Sequence, residues 1–173
     1  MTNTASAEPV YAITLHQPWA SLIAMGLKAV ETRSWPAPAR LVGQRIAVHA
    51  GKRLVRQPGE CIERKLRAQW GEDWRVNIPT GAVVATAVLA GMAQAAHIDP
   101  LTGHAVHDPA TEVGCAVGTG RTPIDPWGDF SPGRWLWFLD DVEALLEPVP
   151  AVGRQSFWRW VGDAASLDDH CSA

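Results

Sequence analysis

The segment that most restricts this chain is the apolar run GAVVATAVLAGMAQAA, residues 81 to 96, entered through Pro79 and Thr80. Its first ten residues are rich in β-branched side chains and carry no charge, which favours a buried strand over a helix. WLWFLDDVEALLEPV behaves similarly: it is apolar on both faces from Trp135 to Leu139 and alternates from Val142 to Leu146. That pattern predicts central strands with a bend at Asp140 and Asp141. Shorter period-two stretches supply further strands. YAITLH sets Tyr11, Ile13 and Leu15 against Ala12, Thr14 and His16, and QRIAVHA sets Ile46 and Val48 against Arg45 and His49.

Two helices are predicted. Pro18 can open the first, roughly 18 to 25, with Trp19, Leu22 and Ile23 on one face and Gly26 as its left-handed cap. Pro58 can start the second, in which Ile62 and Leu66 sit four apart, flanked by Cys61 and Trp70, before Gly71 ends it. Residues 97 to 134 hold Gly, Pro, Asp and Thr without a lasting period, so they are predicted to form a long loop. QSFWRWV is predicted to be a short helix or turn. Short strands, few helices and no βαβ regularity give an α+β class, a small mixed β-barrel with two or three flanking helices. The 173 residues suit one globular domain over 11–162, with 1–10 and 163–173 as flexible ends.

Charge separates along the chain. Residues 28 to 75 carry eleven Lys or Arg against five acids, whereas residues 76 to 173 carry four against twelve, within a net charge of −3. An acidic total speaks against a protein that coats duplex DNA, while a local basic face can still attract phosphate. The three cysteines, Cys61, Cys115 and Cys171, form no CxxC pair and are odd in number, the usage of a reduced, cytoplasmic protein. MTNTASAEPVYA lacks the basic start and apolar run of a signal peptide, and no stretch approaches the roughly 20 apolar residues that span a bilayer.

The segment VETRSW is predicted to be a strand with Glu31 and Arg33 on one face and Val30 and Thr32 on the other. With the preceding turn it reads Gly26-Leu27-Lys28-Ala29-Val30-Glu31-Thr32-Arg33, the form GxKxxExR. As chemistry, Lys28 is a point charge for a phosphate or carbonyl, and Arg33 is a planar fork for phosphate or a base edge. Glu31 can orient either cation or accept from an exocyclic amine. An i, i+2 ion pair between Glu31 and Arg33 is the plain structural alternative. Trp19 and Trp35 bracket the motif; Trp35, beside Pro36, is the better stacking candidate, and Trp19 falls on an apolar helix face. His16, His49 and Lys52, at strand ends, complete the candidate binding set.

Together with LHQPWASLI, HAGK, GAVVATA and GRWLW, this motif resembles the ASCH superfamily, whose domains have a β-barrel similar to that of PUA domains. The resemblance runs over most of residues 11 to 160. It implies an RNA-related domain with the motif lining a cleft, and hence RNA, single-stranded nucleic acid or a modified pyrimidine nucleoside as partner. It also implies an alternative, an enzyme of the endoribonuclease or N4-acetylcytidine amidohydrolase kind, in which Lys28 and Glu31 would be catalytic. The small amidohydrolases of this superfamily carry threonine where Glu31 stands, and a carboxylate there opposes the neutral lysine that amide hydrolysis requires. For RNA cleavage, Lys28 would stay charged and Glu31 or His49 would serve as base. A third reading, a protein-interaction adaptor, rests on Trp158 and Trp160. No cofactor is expected. His97, Asp99, His104, His107, Asp108 and Cys115 share the Gly-rich region but lack the tight ligand pairs of a structural zinc site, so no metal is assigned.

Overall fold

The computed structural model of the chain describes residues 9–114 and 120–162. In chain order they form β1 (Val10–Gln17), α1 (Trp19–Ala24), β2 (Val30–Arg33), a 3-10 turn (Ala39–Leu41), β3 (Arg45–Leu54), α2 (Glu60–Trp70), α3 (Trp74–Asn77), β4 (Ala82–Ile98), β5 (His104–Gly114), β6 (Arg121–Pro123), β7 (Trp135–Pro150) and β8 (Phe157–Trp160). The hydrogen-bonded strand order among the described residues is β2-β7-β4-β3-β1-β8, with β5 joined to β4 and β6 to β5. This is the expected α+β class, a mixed sheet with three α-helices.

The chain divides into two compact units. One unit comprises Met1–Ala24, Ile46–Thr86 and Glu143–Ala173; the other comprises Met25–Arg45 and Ala87–Val142. In the first, β1 lies parallel to β3, with Thr14 opposite His49, and antiparallel to β8, with Ala12 opposite Trp158. Ala12, Ala47, Val83 and Trp160 are buried together, with Val149 and Trp158 packed against them. Gln17, fully buried at the end of β1, accepts from the Ser21 N–H at 3.1 Å and donates to the Pro79 carbonyl at 2.5 Å. This one side chain fastens the start of α1 to the connection before β4. α2 buries Ile62 and Leu66, the pair four apart, and the Gly71 N–H closes its end on the Arg67 carbonyl at 2.8 Å with φ +79°.

In the second unit, β2 pairs antiparallel with β7, placing Glu31 opposite Trp137 and Arg33 opposite Trp135. Val30, Ala93, Ala95, Ala105, Phe130, Leu136 and Phe138 form its core. β5 pairs with β4 through two register shifts and with β6 from His104 opposite Pro123 to Val106 opposite Arg121.

Three expectations are corrected. Residues 97–134 are not one long loop, because β5 and β6 occupy much of the stretch. Their inward positions include His107, which is buried, hydrogen-bonded to Thr122 at 2.7 Å and stacked near Phe138, so a polar residue does the packing that a hydrophobic pattern would have signalled. QSFWRWV is an edge strand, held by pairing to β1, and Trp160 and Trp158 pack within the first unit. Pro18 stands one position ahead of α1 behind a cis peptide bond, its carbonyl accepting from the Leu22 N–H. The apolar run is strand over its first ten residues as expected and continues so beyond them, which makes β4 17 residues long. The ends 1–8 and 163–173 and residue Cys115 lie outside the described residues.

Candidate functional site

The GxKxxExR motif folds as the sequence suggests, but with its charges turned inward. Gly26, at φ +68°, ends the first helical segment, and the chain enters β2 so that Lys28 is only 1% exposed. Its Nζ donates to the Val30 carbonyl at 2.5 Å and stands 3.9 Å from Glu31 Oε2 and 3.8 Å from Asp125 Oδ2. Three oxygens thus face the three donors of one ammonium. On the far side Glu31 Oε1 meets Arg33 Nε at 2.9 Å, so the ion pair permitted by the strand spacing is formed. The Arg33 guanidinium also lies 5.9 Å from the ring centre of the buried Trp137. Burial pushes the Glu31 carboxyl above the usual carboxylate range, the charges of Lys28 and Arg33 pull it back, and Asp125 adds to the push.

Beside this cluster opens a cleft of about 540 Å³ walled by Leu27, Ala29, Val30, Phe138 and Leu139, with Asp125 and Asp140 as its acids. Asp125 therefore belongs both to the ion cluster and to the cleft wall, and its Oδ1 is fixed by the Trp127 N–H at 2.8 Å. Trp35 is half-buried and packs against Trp137 in a T-shaped arrangement, ring centres 4.8 Å apart.

His49 and Lys52 fall in the first unit, on β3, and share a different cleft. It holds about 630 Å³ and is lined by Thr14, His49, Gly51, Lys52, Gly81 and residues 150–153. His49 is 2% exposed. Its Nε2 is 3.1 Å from the Ala151 carbonyl, which can only accept, so Nε2 carries the hydrogen and Nδ1 keeps its lone pair. The ring is edge-on to Trp158, centres 5.6 Å apart, and Trp158 Nε1 donates to Thr14 Oγ1 at 3.1 Å. Burial holds the imidazole below its usual pKa, against the opposing effect of the Ala151 bond. His16 is exposed and Trp19 half-buried; both belong to the first unit, and neither lines this cleft.

A model of the ASCH domain matches residues 13–127. The chain belongs to the ASCH domain family. Among curated proteins, activating signal cointegrator 1 of Mus musculus is 38% identical over 63 residues, which are 36% of this chain; the chain spans 10% of that protein's length. Among solved structures, ASCH from Zymomonas mobilis matches over 87% of this chain and 86% of its own, with a TM-score of 0.46 and 16% identity. A single-residue variant of it matches over 87% of each chain, with a TM-score of 0.46 and 17% identity.

Within this ASCH domain the structure brings together Lys28, Glu31 and Arg33, and separately His49 and Lys52. Sequence reasoning missed Asp125. It lies 94 positions beyond Glu31, in the stretch read as loop, and only an acid immediately preceding Pro126 marks it in the sequence. Among the described residues no helix is long and apolar enough to cross a membrane.

Proposed function

We propose that this ASCH domain is a recognition module for a nucleoside, or for one unstacked base of single-stranded RNA, received in the cleft beside Asp125. The observation that carries the reading is the double membership of Asp125. Of the two carboxylates that line the cleft, Asp125 is the one that Lys28 and the Trp127 N–H hold in place, so an acceptor is preset in a largely apolar lining. A carboxylate in such a position accepts from an exocyclic amine of the cytosine kind, and the apolar lining of Leu27, Phe138 and Leu139 suits the ring and any apolar substituent on it. The acids at this cleft, Asp125 and Asp140, repel phosphate, which favours the base or nucleoside over the RNA backbone as the part that enters. Lys28, Glu31 and Arg33 are not among the lining residues and act from behind the wall, Lys28 by holding Asp125.

A hydrolytic use of Lys28 asks more of the site. Its ammonium is engaged by Val30, Glu31 and Asp125, and attack on an acyl carbon would require one of these contacts to be given up. Calorimetric titration of the chain with cytidine and N4-acetylcytidine, with product analysis of the same samples, tests both readings. Binding without turnover is expected, and Asp125→Asn, which keeps an acceptor oxygen but removes its charge, should weaken it roughly tenfold. Affinity untouched by Asp125→Asn would remove the assignment, and turnover abolished by Lys28→Ala would replace it with the enzyme.

A further inference from the structure

The cleft of the first unit has a different chemistry, and it stands independently of the reading given to Asp125. We propose that it binds a nucleoside monophosphate carrying a ring N–H of the uracil or guanine kind, the phosphate on Lys52 and the N–H on Nδ1 of His49.

Three observations lead to that ligand. His49 Nδ1 is buried and has no hydrogen-bond partner among the described residues, while its tautomer is fixed by the bond from Nε2 to Ala151. A buried acceptor left this way is costly, and only a donor relieves it. Inorganic anions bring chiefly acceptors, so the complement is an N–H. Next, Lys52 is exposed, and it is the charged residue of the lining, with no acid beside it there. The described residues of this unit also carry nine Lys or Arg against six acids, so its field attracts an anion. Finally, Pro150, Ala151 and Val152 give an apolar wall for a planar ring, in a volume within the range of small-ligand sites, roughly 300 to 1,000 Å³.

Gly153 is the piece that controls access. It backs directly onto the imidazole, so closely that a side chain there would meet His49 Cε1, would lie 2.6 Å from Nδ1 and would lie 2.9 Å from Thr14 Oγ1. It belongs to the connection 151–156 between β7 and β8, which has no strand pairing and in which Val152 is 83% exposed. Ala151 is held at both its N–H, by Gly81, and its carbonyl, by His49, so in the proposed complex it is the residues after Ala151 that shift, and the ligand's N–H takes the place of Gly153 over Nδ1.

The experiment is calorimetric titration of the full chain with uridine 5′-monophosphate, guanosine 5′-monophosphate, uridine and N3-methyluridine 5′-monophosphate. At least one of the first two is expected to bind. Uridine should bind more weakly for want of phosphate, and for a site that takes uridine monophosphate the N3-methyl compound should lose roughly tenfold or more for want of its donor. Lys52→Ala should weaken the monophosphate by a similar factor and leave uridine unchanged; Lys52 is exposed, so this variant folds. Hexauridylate with and without a 5′-phosphate separates the sources: tighter binding of the phosphorylated strand than of the mononucleotide assigns the site to strand ends, and the reverse assigns it to free nucleotides. No binding of either monophosphate at millimolar concentration overturns the proposal. So does equal loss of uridine and uridine monophosphate in Lys52→Ala, or an N3-methyl compound that binds as well as its parent.

Discussion

Lys28 and Lys52 put the same ammonium to opposite uses. In the second unit Lys28 is sealed in, bonded to a backbone carbonyl and set between two carboxylates, and it works on the site only through Asp125. In the first unit Lys52 stands exposed at the rim of a cleft whose lining contains no acid. The units differ in the same sense as their lysines: nine basic against six acidic residues in the described part of the first, and six against eight in the second. A buried cation needs its counter-charges at hand and so gives up contact with a ligand. An exposed one keeps its field for whatever approaches. The same side chain is thus a buried, counter-charged group on the way into β2 and an exposed charge within β3.

The largest effect that tests this contrast is on stability. Lys28→Met keeps the aliphatic stem and removes the charge, leaving Asp125 and Glu31 with Arg33 as their remaining nearby cation. A loss of about 3 to 5 kcal/mol is expected, the usual consequence of breaking a buried pair from one side. Lys52→Ala should stay within about 0.5 kcal/mol of the parent. Urea unfolding followed by tryptophan fluorescence measures both. Equal losses in the two variants would mean that the two lysines do the same job, and the contrast would fail.

Next in size is a pH effect with opposite signs in the two units. The Glu31 pKa is raised above 4.5 by burial, so the folded state holds this proton when the unfolded state has released it. Its contribution is fully favourable below 4.5 and is lost as pH rises through the raised value. The His49 pKa is lowered below 6.5, again by burial, so the unfolded state binds the proton first. Its contribution is present above 6.5 and is lost as pH falls through the lowered value. The two slopes have opposite signs, that of Glu31 beginning at 4.5 and extending upward and that of His49 ending at 6.5 and extending downward, each bounded by about 1.4 kcal/mol per pH unit for one proton. Glu31→Gln should tilt the stability profile upward with pH above 4.5, and His49→Phe should tilt it downward with pH below 6.5. Chemical unfolding at half-unit steps reads the tilt; tilts of the same sign would show that one of the two groups is not perturbed as its surroundings imply.

How much of this was legible beforehand depended on whether a residue's partners lay close in sequence. Lys28, Glu31 and Arg33 fall within six residues, so both the ion pair and the convergence could be read from strand and turn geometry. The period-two pattern at 11–16 and the Ile62 and Leu66 pair of α2 were read from local alternation alone. Asp125 was not visible, because nothing local distinguishes an acid that will reach Lys28 from one that ends a turn. β5 was hidden for a related reason: its buried positions are Ala105 and His107, one small and one polar, so its alternation carries little hydrophobic contrast. β8, with three aromatics in four residues, fits helix or strand equally until β1 supplies its partner. His49 was read as a strand-end residue on a less apolar face, whereas its burial comes from Gly153, more than a hundred positions away, a glycine whose missing side chain is what admits the ring.

The smallest predicted effect concerns the basic surface of the first unit outside its cleft. Arg67 on α2 lies 3.5 Å from Glu63 and 3.6 Å from Glu72, and the arginine and Glu72 are both well exposed. Exposed pairs of this kind contribute little, because water screens the charges and the side chains lose freedom in pairing. Glu63 keeps Arg75 at 2.7 Å when Arg67 is removed, so no carboxylate is stranded on that side. Arg67→Ala should therefore change stability by less than about 0.5 kcal/mol, and by less still in 1 M salt, where the Debye length falls to about 3 Å. The same variant should leave binding of uridine monophosphate unchanged, since Arg67 is not among the residues lining the His49 cleft. A loss of nucleotide affinity in Arg67→Ala comparable with that of Lys52→Ala would move the anion site from the cleft to the face of α2, and the division of labour would then be between a helix surface and a pocket, not between two pockets.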